Sequence, residues 1–216
     1  MQSLLWLALA LSSGAALAQF DAHPGASSFH SVKLADSVQA KIADRSFSLS
    51  PVGYGIRIKH VFVVNAKVYV AELFATDQTK FTHTVAGALS SLDGEKVVAM
   101  KLSFLRDVEE SKIRASFREG LLANKVDITN ADIRGFMDAV MAAGDIREGA
   151  FFAIIGEHLE GGKEAITFEN SKGKASTVIG APGFIRQIFS IWLGESADDG
   201  LAELKKSLIG EKNEKS

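Results

Sequence analysis

Gly53-Tyr54-Gly55-Ile56-Arg57-Ile58-Lys59-His60-Val61-Phe62-Val63-Val64-Asn65-Ala66-Lys67-Val68-Tyr69-Val70-Ala71-Glu72-Leu73-Phe74 is the stretch on which the fold of this chain turns. Two runs rich in β-branched and aromatic residues flank Asn65-Ala66, the composition of neighbouring strands joined by a tight turn. Gly53 and Gly55 open the first run, and glycine lets a backbone bend or approach another element closely. Arg57 sits inside that run. A guanidinium that a strand turns toward a core needs an anionic or hydrogen-bonding partner. What Arg57 faces is therefore the central question.

Register bears on it. A two-residue turn at Asn65-Ala66 pairs Val64 with Lys67 and sets Lys59 against Glu72, a sensible cross-strand ion pair. Side chains alternate along a strand, so Arg57 and Tyr69 then fall on opposite faces. A three-residue loop or a single β-bulge brings them to one face.

Upstream, Val32 to Ile42 reads as a strand, and Phe20 to Ser31, rich in Ala, Gly, Ser and His, as a loose lead-in (19–31). Downstream, Phe81 to Leu92 suggests a short helix and Val97 to Leu105 a strand. The period then changes. Ile113, Phe117 and Leu121 recur at helical spacing behind Asp107 and Glu110, which resemble a capping pair. Thr129 with Asp132 opens a second helix that Gly144 ends. Three strands follow at Ala150–His158, Ala165–Glu169 and Ala175–Ile179, separated by Gly161-Gly162 and Asn170–Gly173. A helix starts at Pro182 and stops at Gly194, and a last one opens at Ser196 with Asp199. The charged tail 211–216 is expected to be disordered. Strands, helices, strands, helices, with hairpins among the strands, indicate an α+β fold with a largely antiparallel sheet.

The chain has 216 residues, 47% hydrophobic and 23% charged, with a net charge of −2. That fits one domain with an ample core. No Lys/Arg-rich block points to nucleic acid. Residues 1–18 read as a signal peptide: Leu4–Leu11 is apolar but too short to span a bilayer, and Ala16-Leu17-Ala18 is a small-x-small cleavage site. The expected mature start is Gln19, the expected location the periplasm or outside the cell, with no membrane span remaining. The chain contains no cysteine, which excludes disulfides, thiol catalysis and a lipidated cysteine. His23, His30, His60, His83 and His158 show no metal spacing, and Gly53-x-Gly55 leads into a strand where a dinucleotide loop would lead into a helix. No cofactor or metal is expected.

Four segments in order, G-x-G-x-R from Gly53, V-Y-V-A-E-L-F from Val68, F-L-R-D-V from Phe104 and P-G-F-I-R-Q-I-F-S-I-W-L-G from Pro182, resemble the chalcone isomerase fold, and more narrowly the bacterial secreted chalcone isomerase-like proteins. The resemblance runs from Val32 to Gly210. It implies an open-faced β-sandwich: a large antiparallel sheet with helices packed on one face and a ligand cleft between them, the domain spanning 32–210. The isomerase's phenolate-stabilising arginine corresponds to Arg57 and its lysine to Lys112. Its threonine falls at Tyr69, its tyrosine at Glu109, its asparagine at Ser116 and its second hydroxyl residue at Ile191. Most of the donors that chalcone isomerisation needs are therefore changed. In fatty-acid-binding relatives an arginine and a tyrosine hold the carboxylate, and Arg57 with Tyr69 supplies those donor types. The resemblance favours the bulged register that lets the two meet.

The reading that follows is a non-catalytic protein binding a small hydrophobic carboxylate such as a fatty acid, through Arg57, Tyr69, Phe104, Phe117 and Trp192. Phe62, Phe136 and Phe189 are further candidates for the pocket wall. Two alternatives stand beside it: an intramolecular lyase or isomerase acting on a phenolic or other anionic substrate through Arg57 and Lys112, and an accessory interaction module with a vestigial cleft. Each singled-out residue also has an ordinary structural explanation. Arg57 could be paired to an Asp or Glu, Lys112 could be a solvated helix charge, and Tyr69 and Trp192 could be core aromatics.

Overall fold

The computed structural model describes residues 19–61 and 64–210. Eight antiparallel strands form one sheet in sequence order: β1 (Gln19–Phe29), β2 (Val32–Ile42), β3 (Arg45–Val61), β4 (Val64–Ala75), β5 (Val97–Phe104), β6 (Phe151–His158), β7 (Glu164–Asn170) and β8 (Ala175–Gly180). A single turn of helix, α1 (Ala88–Ser91), lies between β4 and β5. The helices α2 (Glu110–Ala123) and α3 (Ala131–Met141) lie between β5 and β6, and α4 (Phe184–Leu193) and α5 (Asp199–Leu208) follow β8.

Alternation sends each strand's side chains to two different cores. On one face Ala71 and Leu73 of β4, Met100 and Leu102 of β5, Ile154 of β6 and Phe168 of β7 pack under Phe117, Phe136, Ile188 and Leu204 of the helices. On the other face Phe74, Ala99, Ala153 and Ile155 meet Phe20, Val38, Ala40, Ile42 and Leu49 of the first three strands. The sheet thus curls over and covers its own back. Burial on both faces is why β5 reads as a mostly apolar run, broken by Lys101 and Ser103, and not as an alternation. β3 is the joint. Its first half pairs with β2, Leu49 opposite Val38, and its second half pairs with β4.

Buried acids fasten the curl. Glu72 accepts the Ala35 N–H at 2.7 Å and the Lys101 ammonium at 2.8 Å. Glu157 pairs with Arg45. Glu169 accepts the Phe20 N–H at 2.8 Å, and burial pushes its carboxyl above the ordinary range against the pull of that bond.

Several expectations are corrected. Residues 19–29 are no loose lead-in but the edge strand β1, paired with β2. Phe20 is the one fully buried residue of that strand, 6.1 Å from Phe74 ring to ring, so its sequence carries almost no apolar signal. Pro24 sits where the β1–β2 register shifts, a position that needs no ladder N–H. The β3–β4 turn is not at Asn65-Ala66. Val61 pairs with Val64, Asn65 with His60 and Ala66 with Lys59. Asn65 instead shares a cross-strand hydrogen bond with His60 Nδ1 at 2.6 Å. Glu72, expected against Lys59, lies opposite Tyr54. The helix expected at Phe81–Leu92 shrinks to α1 with a 3₁₀ turn after it. The helices α2, α3 and α5 start at Glu109, Asn130 and Asp198 as caps. The expected signal peptide and the tail 211–216 lie outside the described residues. Among the described residues no helix is long and apolar enough to cross a membrane.

Candidate functional site

On β3, Gly53, Gly55, Arg57 and Lys59 point to the helix face. The two glycines let α5 lie directly on the strand. A Cβ at Gly55 would stand 2.7 Å from Ser207 Cβ and 2.9 Å from Leu204 Cδ1, and one at Gly53 would overlap the Leu208 carbonyl. At its other end α5 has Gly200 seated over the Ile58 carbonyl and the Arg57 guanidinium. The start of α5 is thereby pressed against Arg57.

Asp198 is the N-cap of α5, and its Oδ1 accepts the Leu201 N–H at 3.0 Å. Its Oδ2 accepts from Arg57 Nη2 at 2.6 Å and from Lys59 Nζ at 2.9 Å. Arg57 Nη1 donates to the Ile58 carbonyl at 2.6 Å. Burial alone would raise the Asp198 carboxyl, but the hydrogen bonds from Arg57 and Lys59 outweigh it and hold the group at about 2. Arg57 is 3% exposed and ion-paired within the protein.

On β4 the register shifts by one residue. Arg57 pairs with Tyr69 while Ile58 pairs with Lys67, leaving Val68 as the extra residue of a bulge. The bulge sets Tyr69 directly across from Arg57 on the same face. The Tyr69 hydroxyl accepts the Trp192 Nε1–H at 3.0 Å, and its ring meets Phe104 edge to face at 5.6 Å. Burial pushes the Tyr69 phenol upward and the neighbouring Arg57 pulls it back only in part. Tyr69 is thus a neutral phenol at physiological pH.

Between these strands and α2 lies a cavity of about 500 Å³. Its floor is buried: Arg57, Tyr69, Phe104, Ile113 and Phe117. Val68 and Ser116 line its walls, and its mouth carries the exposed Arg106, Asp107, Lys112 and Glu119, with Lys59 between. The lining holds four cations against two carboxylates, Asp107 and Glu119, the first of which is paired to Arg147 at 2.7 Å.

Of the residues singled out from the sequence, the fold brings Arg57, Tyr69, Phe104, Phe117 and Lys112 to this one cavity. Trp192 is not on its wall. All but two of the ten residues of α4 are buried, and Trp192 stands behind Tyr69 holding its hydroxyl. Phe136 and Phe189 are likewise in the core, and the Phe62 side chain lies outside the described residues. Of the remaining positions aligned to the isomerase donors, Ser116 also reaches the cavity. Glu109 is exposed and pairs with Lys112 at 3.0 Å, and Ile191 is buried against Gly120. Sequence reasoning missed Asp198 and Arg106. Asp198 has only a capping signal, and its partnership with Arg57 spans 141 residues. Arg106 stands within the F-L-R-D-V motif but was given no role.

No curated protein sequence matches the chain. The crystal structure of an Arabidopsis thaliana fatty-acid binding protein is similar, with a TM-score of 0.56 at 15% identity, covering 80% of this chain and 92% of that one. At that identity the likeness speaks to the fold. The family model described as chalcone isomerase-like matches residues 26–210, and the chain belongs to the chalcone isomerase-like family.

Proposed function

We propose that this protein is an exported, non-catalytic binding protein that holds a small hydrophobic carboxylate, such as a fatty acid, in the cavity between β3, β4 and α2. One observation carries this: an apolar floor of Tyr69, Phe104, Ile113 and Phe117 under a lining of four cations. Its volume of about 500 Å³ falls within the roughly 300–1,000 Å³ of ordinary ligand pockets. The similar solved structure is itself that of a fatty-acid binding protein, which supports the same ligand class. Export rests on the apolar run Leu4–Leu11 and the small-residue site Ala16-Leu17-Ala18.

The donor set supports the non-catalytic reading. Chalcone closure needs donors aimed at developing charge. Here Arg57 is already bonded to Asp198 and the Ile58 carbonyl, and Ile191, at one donor position, is buried away from the cavity. Native mass spectrometry of the gently purified protein, alone and with added fatty acids of twelve to eighteen carbons, tests the proposal. The expected result is one-to-one adducts, with chalcone absorbance unchanged from buffer. Absence of any adduct, or chalcone consumption above buffer, contradicts it.

A further inference from the structure

The cavity's charges are not equally available. Arg57 and Lys59 share the Asp198 carboxylate, at 2.6 and 2.9 Å. Lys112 is paired with Glu109 at 3.0 Å. Arg106 has no hydrogen-bonding or ionic partner among the described residues, although it lines the same cavity.

Its position is built. The Leu105 N–H donates to the Val68 carbonyl at 2.9 Å. Asp107 accepts from the Glu148 N–H at 2.9 Å and from Arg147 at 2.7 Å. Val108 and Ile146 exchange both backbone hydrogen bonds at 2.9 Å. The residues on either side of Arg106 are therefore tied to β4 and to the segment before β6, which places its exposed, unpaired side chain at the mouth. An unpaired planar fork at a cavity entrance suits bidentate capture of a carboxylate.

Resting on the function proposed above, we propose that the ligand binds with its head outward: its carboxylate is held at the mouth by Arg106, and its hydrocarbon part lies inward against Phe104, Phe117 and Tyr69. Arg57 shapes the floor and anchors α5. An inward-facing head would have to share Arg57 with the Asp198 carboxylate and the Ile58 carbonyl, and would lie within reach of the Asp198 negative charge. An outward one meets a guanidinium that has no partner among the described residues to displace.

Calorimetric titration with dodecanoate and with its methyl ester tests this on wild type, Arg106→Gln, Arg118→Gln and Asp198→Asn. Arg118 is an exposed α2 residue outside the cavity lining and controls for net charge. Asn at position 198 keeps an oxygen for the Leu201 N–H while freeing Arg57. Wild type is expected to prefer the acid to the ester. Arg106→Gln loses that preference, with acid affinity falling about tenfold, as expected for a hydrogen bond to a charged group. Ester affinity is kept, and Arg118→Gln keeps the preference. Asp198→Asn gains less acid affinity than Arg106→Gln loses. A preference that survives Arg106→Gln, or a larger gain in Asp198→Asn, overturns the assignment and puts the head at Arg57. Wild type that binds acid and ester equally overturns the assignment alone. Wild type that binds neither overturns the proposed function with it.

Discussion

Asp198 divides its two carboxylate oxygens between a helix and two cations: Oδ1 caps α5 and Oδ2 accepts from Arg57 and Lys59. A buried guanidinium left alone costs far more than the pair contributes, so the pair is a condition of burying Arg57 rather than a source of surplus stability. The sign of its pH dependence follows. The folded carboxyl is held at about 2, below the ordinary 3.8. Its contribution is therefore complete above about pH 4 and is lost as pH falls toward 2. Asp198→Asn is expected to be less stable than wild type at neutral pH, with the two converging across that acid window in thermal melts. Curves that stay parallel down to pH 2 would show that Asp198 contributes nothing through its charge.

At the scale of elements, the pairing of β3 with α5 explains the Gly-x-Gly-x-Arg pattern. The glycines make room for the helix, and the helix brings the partner for the arginine. Gly55→Val places a good strand former in a strand, yet its side chain must enter the space of Ser207 and Leu204. Overpacking of this kind costs about 1–3 kcal/mol. Chemical denaturation should show that loss, and a stabilised variant would mean that α5 is not seated on the strand. This part of the fold was legible in the sequence because glycine at alternate positions signals close approach on one face. The apolar runs of β5 and β6 and the helical periods of α2 to α5 were legible for the same kind of reason. The bulge at Val68 was not. One extra residue reverses the parity of a strand without changing its composition, so only the family resemblance favoured it. The turn was misplaced because Asn65 has the residue type of a turn former but spends its side chain on a cross-strand bond to His60. Within the site, Arg57, Tyr69, Phe104, Phe117 and Lys112 were visible as residue types. Asp198 was not, because no local pattern reports a contact made 141 residues away.

At the scale of the whole molecule, the curled sheet decides where a ligand can enter. β1 to β3 seal the back of the sheet, so the helix side is left for a cavity. The seal includes residues that read as a loose lead-in, and Phe20 is its plug, packed between Phe74 and Phe151. Phe20→Ala should cost about 3 kcal/mol in equilibrium unfolding. An unchanged midpoint would return 19–29 to the status of a loose lead-in. The central claim is that the cavity under β3 and β4 takes a hydrophobic carboxylate. Titration of dodecanoate into wild type and into Val68→Trp, which fills the cavity wall, tests it most directly. The account predicts saturable one-to-one binding to wild type and its loss in the filled variant. No binding to wild type, or equal binding to both proteins, would contradict it.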